Sequence, residues 1–390
     1  MQWRYKETVL VLSTLAFFAT MAARLAISPV VPAITDEFAV SNGVVGVGLT
    51  GMWMAYFVSQ FPSGVLADRF GERLIILVAV GGTAVMSLLI ALSPLFAVFV
   101  LATVLLGGVA GLHYSVATTL LTRTYDDIGT AIGFHNSGGP AAGLVVPVLA
   151  AWVGVRYGWR PAVALGAVIA VPIFALFAWR VRTTEPRRPD EPMRDRFELG
   201  PLVELLSRPE IAFTVCLAVA GAFVWQATSS FLPTFLVQYR GMSTTTAGTV
   251  FSAYFVVQAI TQVGVGAASD RFGRDPATAG CMVLGVAGFA VLVAVPGRLA
   301  VAVAVLLFGT GLGWGGALIP RFMDALSEEE QGAGFGLVRT AYGVVGSLGS
   351  VVTGLLADVF GWAVSFGVLT ALLALVFAAL AANWALDLCY

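Results

Sequence analysis

Gly64-Val65-Leu66-Ala67-Asp68-Arg69-Phe70-Gly71 recurs, 202 residues further on, as Gly266-Ala267-Ala268-Ser269-Asp270-Arg271-Phe272-Gly273. The register extends outward from this pair. Ser41 and Gly46 match Ser243 and Gly248 at the same offset, while Gly129 and Gly133 match Gly332 and Gly336, and Gly158-Trp159 matches Gly361-Trp362, at an offset of 203. Chance does not hold one register over such a length, so the chain is a tandem duplication. The longest polar stretch, Arg180 to Pro209, is rich in Arg, Pro, Glu and Asp and lies between the copies.

Composition decides what is duplicated. Of the 390 residues, 58% are hydrophobic and 11% charged, with a mean hydropathy of +0.91, whereas a soluble domain is about 25% charged. Crossing a bilayer takes about 20 apolar residues per helix, and twelve stretches of that order separate the charged clusters. They run at 8–33, 43–66, 74–92, 95–120, 130–154, 161–179, 210–237, 246–268, 277–296, 300–320, 333–356 and 362–385. The reading is an all-α integral membrane protein of twelve transmembrane helices in two pseudo-symmetric six-helix bundles. The expected divisions are 1–180, a cytoplasmic linker at 181–209, and 210–390.

The net charge of −1 excludes a basic nucleic-acid surface. With the amino terminus inside and an even helix count, Lys and Arg can be summed by side. Fifteen fall inside: Arg4, Lys6, Arg69, Arg73, Arg123, Arg180, Arg182, Arg187, Arg188, Arg194, Arg196, Arg208, Arg271, Arg274 and Arg321. Four fall outside: Arg156, Arg160, Arg240 and Arg298. This bias places both termini in the cytoplasm. Cys216, Cys281 and Cys389 have no spacing of a disulfide framework or metal site. Twenty arginines to a single lysine point to a prokaryote of high GC content, and so to a cell membrane.

Two six-helix halves in one orientation are the parallel repeat of a large transporter architecture, with substrate near the midplane at the interface of the halves. Gly-x-x-x-Asp-Arg-x-Gly-x-Arg, at Gly64 to Arg73, resembles the signature of the major facilitator superfamily, and Gly266 to Arg274 resembles its second copy. Glu72 departs from the pattern, standing where the family usually has a basic residue, which would weaken the charge of that loop. The resemblance implies that Gly64, Asp68, Arg69, Gly71, Arg73 and Arg123, with Gly266, Asp270, Arg271 and Gly273, form a gate that latches and releases as the halves rock. Physically, Gly64 and Gly266 would permit close helix approach. Asp68 and Asp270, at the membrane boundary, could accept hydrogen bonds from a helix amino terminus or pair with a basic residue such as Arg123. Plain loop solvation is the alternative.

Arg24 precedes Asp36 by twelve residues, about 18 Å of helix, near the bilayer centre. A charge there costs about 2.5–3.5 kcal/mol on insertion scales and usually serves a water-filled pathway. Its counterpart at offset 202 is Gln226. Arg339, seven residues into the eleventh stretch, corresponds to Asn136, beside His135. No Asp or Glu lies deep in any stretch, so no buried carboxylate balances these arginines. Guanidinium forks suit carboxylate or phosphate, which favours an anionic solute; the alternative is that either arginine snorkels or binds a buried carbonyl. His113 and His135 are the two histidines and the candidate proton site, although helix histidines are more often structural and an anion exchanger needs none.

Tyr56, Gln60, Tyr114, Trp225, Gln226, Tyr254, Gln258, Trp314 and Tyr342 complete the expected substrate cavity, each able instead to pack between helices. Pro29 and Pro32 would break the first helix near Arg24. The chain lacks a Walker A lysine, Lys6 being its single lysine, and lacks a Gly-x-Ser-x-Gly triad pattern or a metal-binding cluster. No cofactor, metal or enzymatic activity is expected. The leading expectation is a monomeric secondary carrier of a small organic anion such as a monocarboxylate, which the stretch from Arg123 through Gly158-Trp159-Arg160 also resembles. Multidrug efflux within the superfamily is the alternative. Nitrate carriers match less well, their arginines lying on the second and eighth helices, and a channel or a non-transporting sensor would share the outline.

Overall fold

The structure, a computed structural model, describes residues 5–188, 200–327, 330 and 333–388. Arg4, Arg194, Arg196 and Cys389 lie outside the described residues, as does the 189–199 portion of the linker.

Among the described residues, twelve helices are long and apolar enough to span a membrane: α1 (Tyr5–Phe38), α2 (Asn42–Phe70), α3 (Glu72–Ala91), α4 (Phe96–Thr124), α5 (Ile128–Tyr157), α6 (Trp159–Arg180), α7 (Pro209–Gln238), α8 (Thr244–Phe272), α9 (Arg274–Ala294), α10 (Arg298–Ala325), α11 (Gly334–Phe360) and α12 (Trp362–Ala385). The described residues contain no strand. Hydrocarbon offers no partner for backbone N–H and C=O, so each segment must satisfy its own.

Duplicated glycines of the sequence acquire a physical reason here. Gly71, Gly158, Gly273 and Gly361 are one-residue joints between consecutive helices, with φ of 85°, 88°, 99° and 83°. Their ψ values of 145–166° place them in a region that side chains exclude and glycine tolerates. Helix ends therefore turn back within a single residue.

The chain folds as two compact units, Met1–Val40 with Val47–Phe197, and Ser41–Gly46 with Glu198–Tyr390. In the first, a Cβ on Gly107 or Gly111 of α4 would overlap the carbonyls of Met52 and Tyr56 on α2, so two backbones meet where the side chain is a hydrogen. α1 is interrupted by a tight turn at Ser28–Val30. Pro29 and Pro32 have no N–H to return to the carbonyls one turn back, which is the expected break. In the second unit, α9 and α10 cross closely, Gly311 lying against Gly285 and the Cys281 carbonyl. Also in the second unit, the Asp358 carboxylate accepts the N–H groups of Asn42 (3.1 Å) and Gly43 (2.7 Å), satisfying two donors at the start of α2.

One expectation is corrected. A Cβ on Gly64 meets nothing within 4 Å, and one on Gly266 meets only the Gly316 carbonyl at 3.7 Å. Neither glycine of the motif marks a crossing too close for a methyl group; Gly107 and Gly111 do.

Candidate functional site

Arg24 sits on α1 one turn before the proline break and is 1% exposed. Its Nε donates to the Thr20 carbonyl at 3.1 Å. The guanidinium carbon lies 3.9 Å from the centroid of the Tyr56 ring and 4.9 Å from that of Trp53, both on α2. Desolvated cation–aromatic contacts contribute about 2 kcal/mol, which offsets part of the cost of burial. The expectation of an arginine facing open water is corrected: the charge is packed between side chains. Trp53, missed in the sequence, was recoverable from its position three residues before Tyr56, on the same helix face.

Two turns earlier on α1, Phe17 gathers a second cluster. Its ring centroid is 6.1 Å from His113, 5.5 Å from Tyr114 and 5.3 Å from His135, and the imidazoles are 5.4 Å apart. Both histidines are fully buried. His135 and Asn136 occupy the last turn of the first part of α5, before the break at Ser137, whose hydroxyl bonds the Phe134 carbonyl at 2.6 Å. Gln60, one turn beyond Tyr56, is 7% exposed, and its Nε2 has no acceptor among the described residues.

The second unit divides its expected residues into separate groups. Gln226 donates to the Gly343 carbonyl at 3.3 Å, bridging α7 to α11. Trp225 donates to Gln258 at 3.3 Å, and Gln258 donates to the Leu312 carbonyl at 2.9 Å, where α10 is interrupted. Trp314 and Tyr342 meet edge to face at 6.5 Å. Arg339 is half-buried on α11. Tyr254 is fully buried against Phe251, Phe255 and Phe308 and belongs to an aromatic core instead of a cavity wall.

The duplicated motifs are built unlike one another. Glu72 is 2% exposed and accepts from Arg123 at 2.5 Å, with Arg187 at 3.9 Å. Far from weakening the loop, this departure supplies the buried anion of the cluster, and Arg123 finds Glu72 as its partner in place of Asp68. Arg73 donates to the Ala178 and Val181 carbonyls at 2.6 and 2.7 Å, closing the end of α6. The Asp68 carbonyl accepts the Arg188 N–H at 2.9 Å. In the second copy the acid–base order reverses, Arg274-Asp275 standing opposite Glu72-Arg73. Arg274 bonds Asp270, and Asp324 at 2.9 Å. Asp275 holds Arg321 at 2.7 Å, and Arg321, 7% exposed, also bonds Thr214. Arg69 and Arg271 remain exposed over the rings of Phe70 and Phe272. The sequence registered Arg321 merely as one more basic residue, because its partner lies 46 positions away.

Twelve apolar helices, a duplicated sequence and paired motifs between α2 and α3 and between α8 and α9 define a multi-pass membrane protein built from two copies of one unit. The model of the Major Facilitator Superfamily matches residues 13–320 and 222–387; the chain belongs to that family. Its twelve apolar helices make it a multi-pass membrane protein. It is 23% identical to the hexuronate transporter of Bacillus subtilis, over 87% of this chain and 85% of that protein. It is 26% identical to the multidrug resistance protein MdtG of Citrobacter koseri, over 70% of this chain and 66% of that protein. The match to the membrane sensor protein UhpC of Escherichia coli, 24% identical, spans 46% of this chain and 42% of the sensor. Among solved structures, a bacterial homolog of the human lysosomal transporter Spinster in an inward-facing, unoccupied conformation aligns with a TM-score of 0.82 at 15% identity, over 97% of both chains. The D-xylose-proton symporter aligns at 0.80 and 16%, also over 97% of both chains.

Proposed function

We propose that the protein carries a small organic anion such as a carboxylate across the cell membrane by alternating access, and that Arg24 is the charge that recognises it. One observation carries this reading: a guanidinium 1% exposed, clamped by Tyr56 and Trp53, in a chain with no Asp or Glu deep within any apolar stretch. An anion is the ligand whose binding offsets that burial, and a fork of N–H donors recognises carboxylate in two-point fashion. The resemblance to a hexuronate transporter, named for a sugar acid, supports the same class. In the first unit Tyr56, Gln60, Tyr114 and Asn136 contribute polar contacts, in the second Gln226, Gln258, Trp314, Tyr342 and Arg339 do so, and His113 with His135 hold the proton where transport is proton-coupled. The halves 1–180 and 210–390 move as bodies joined by 181–209, in a monomer with both termini in the cytoplasm, and the motif residues latch the cytoplasmic end.

Likeness to MdtG, a multidrug resistance protein, favours efflux of lipophilic compounds as the second reading. The purified protein is screened by thermal shift against glucuronate, lactate, phosphate and a lipophilic cation, because a ligand of the folded state raises the melting temperature. Stabilisation by a carboxylate that disappears in Arg24→Gln and partly survives in Arg24→Lys is the expected result. Stabilisation by the cation alone, unchanged in Arg24→Gln, overturns the anion reading in favour of efflux.

A further inference from the structure

We infer that the second unit holds a site for one anionic phospholipid between α8 and α10, its headgroup between Arg240 and Arg298. This site is independent of Arg24 and of the solute. Two of the few arginines remote from the basic clusters converge here on a cavity of about 380 Å³ formed by the α7–α8 and α9–α10 connections, and no Asp or Glu lines it. The connections are pinned to each other: Tyr239 donates to the Val293 carbonyl at 3.3 Å, and Arg240 to that of Val295. Arg298 is exposed at the first position of α10. The helix beginning there follows Gly297, which has a φ of 101° and no side chain to cap the first N–H groups. Its dipole adds to the positive potential of the two guanidinium groups.

A polar pocket alone would take any anion. This one opens directly into a second cavity of about 330 Å³ that runs along the helices, the two sharing Met242, Thr246, Arg298 and Val301. On α8 its wall is the single stripe Thr246, Val250 and Val257; on α10 it is Val301, Val305 and Leu306. It ends where Val257 meets Gly309, at which a Cβ would lie 2.8 Å from the valine methyl. From Thr246 to Val257 is eleven residues, about 16 Å of helix, or about half the ~30 Å hydrocarbon thickness. The groove is therefore as deep as one leaflet. Two arginines at the mouth of an apolar channel one leaflet deep match an amphiphile with a net-negative phosphate head and one acyl chain laid in the channel. A zwitterionic head would bring a cation that finds no carboxylate.

The test is native mass spectrometry of the full-length protein titrated with dioleoyl phosphatidylglycerol, dioleoyl phosphatidylcholine, or glycerol phosphate as the free headgroup. Arg298→Gln, an exposed substitution, probes the head site, and Ala302→Trp, at a groove-lining residue, fills the channel. Phosphatidylglycerol is expected to bind about tenfold or more tightly than phosphatidylcholine, the worth of one charge-assisted hydrogen bond. Arg298→Gln should abolish that preference while leaving the melting temperature unchanged. Ala302→Trp should weaken both lipids, and glycerol phosphate should not compete. Equal binding of the two lipids, a preference that survives Arg298→Gln, lipid binding indifferent to Ala302→Trp, or displacement of phosphatidylglycerol by glycerol phosphate at equal concentration would each overturn the inference.

Discussion

Replacing Arg123 by glutamine should destabilise the first unit far more than replacing its partner Glu72 does. The two side chains of this ion pair are 38% and 2% exposed. Removing the arginine leaves a buried carboxylate whose Oε2 has no partner among the described residues; removing the carboxylate leaves an arginine that water can reach. Breaking a fully buried pair costs about 3–5 kcal/mol when one charge is stranded. Two features reduce that figure: Arg123 is more than a third exposed, and Arg187 stands 3.9 Å from the same carboxylate oxygen. About 2 kcal/mol remains for Arg123→Gln. Glu72→Gln keeps an acceptor near Arg123, and exposed ion pairs are worth about 0–1 kcal/mol, so its loss should stay below about 1 kcal/mol. The double substitution should sit near Glu72→Gln, since no stranded charge is left, giving a coupling of about 1–2 kcal/mol. Reversible unfolding in mixed micelles, followed by tryptophan fluorescence, reads all three. Equal losses for the single variants, or an additive double variant, would refute the account of Glu72 as a buried anion held by Arg123.

Gly107→Ala should lose about 1–3 kcal/mol, because a methyl there overlaps the Met52 carbonyl, whereas Gly64→Ala should change stability by less than about 0.5 kcal/mol; the same unfolding assay compares them. Trp53→Ala removes one of the two rings over Arg24 and should weaken carboxylate binding several-fold in isothermal titration, with Trp53→Phe retaining most of it. At the edge of the membrane, the bidentate Arg208 contact, followed by the Ser327 N–H, lowers the Glu330 carboxyl from its ordinary value to about 2. A depressed carboxyl contributes stability above its unfolded value near 4.5 and loses it as the pH falls toward 2. Carboxyl NMR of Glu330 should therefore show no protonation at pH 4, and Arg208→Gln should return the midpoint toward 4.5.

How far these features were legible differs residue by residue. The proline break of α1 was readable, because a missing N–H is a local property of Pro29 and Pro32. Glu72 was misread as a mere dilution of positive charge, since its partner lies 51 positions away and motif spacing carries no information about depth. His113 and His135 were singled out separately; their meeting over Phe17 depends on three helices, and no periodicity within one of them encodes it. Tyr254 looked like a cavity residue and is part of an aromatic core, because tyrosine suits both places.

By itself the sequence determined the membrane class, the twelve spans and the duplication. Each follows from local composition, from register, or from a fixed rise per residue. The tertiary structure decided which groups touch: Arg24 with Tyr56 and Trp53, Arg123 with Glu72, Arg321 with Asp275 and Thr214, and the groove below Arg298. The physical reason is the solvent. In water an apolar stripe tells a helix which side to bury, but a helix apolar all round in lipid has no such stripe. Its rotation is set by small residues, hydrogen bonds and close packing with neighbours, contacts that exist only once the helices have come together.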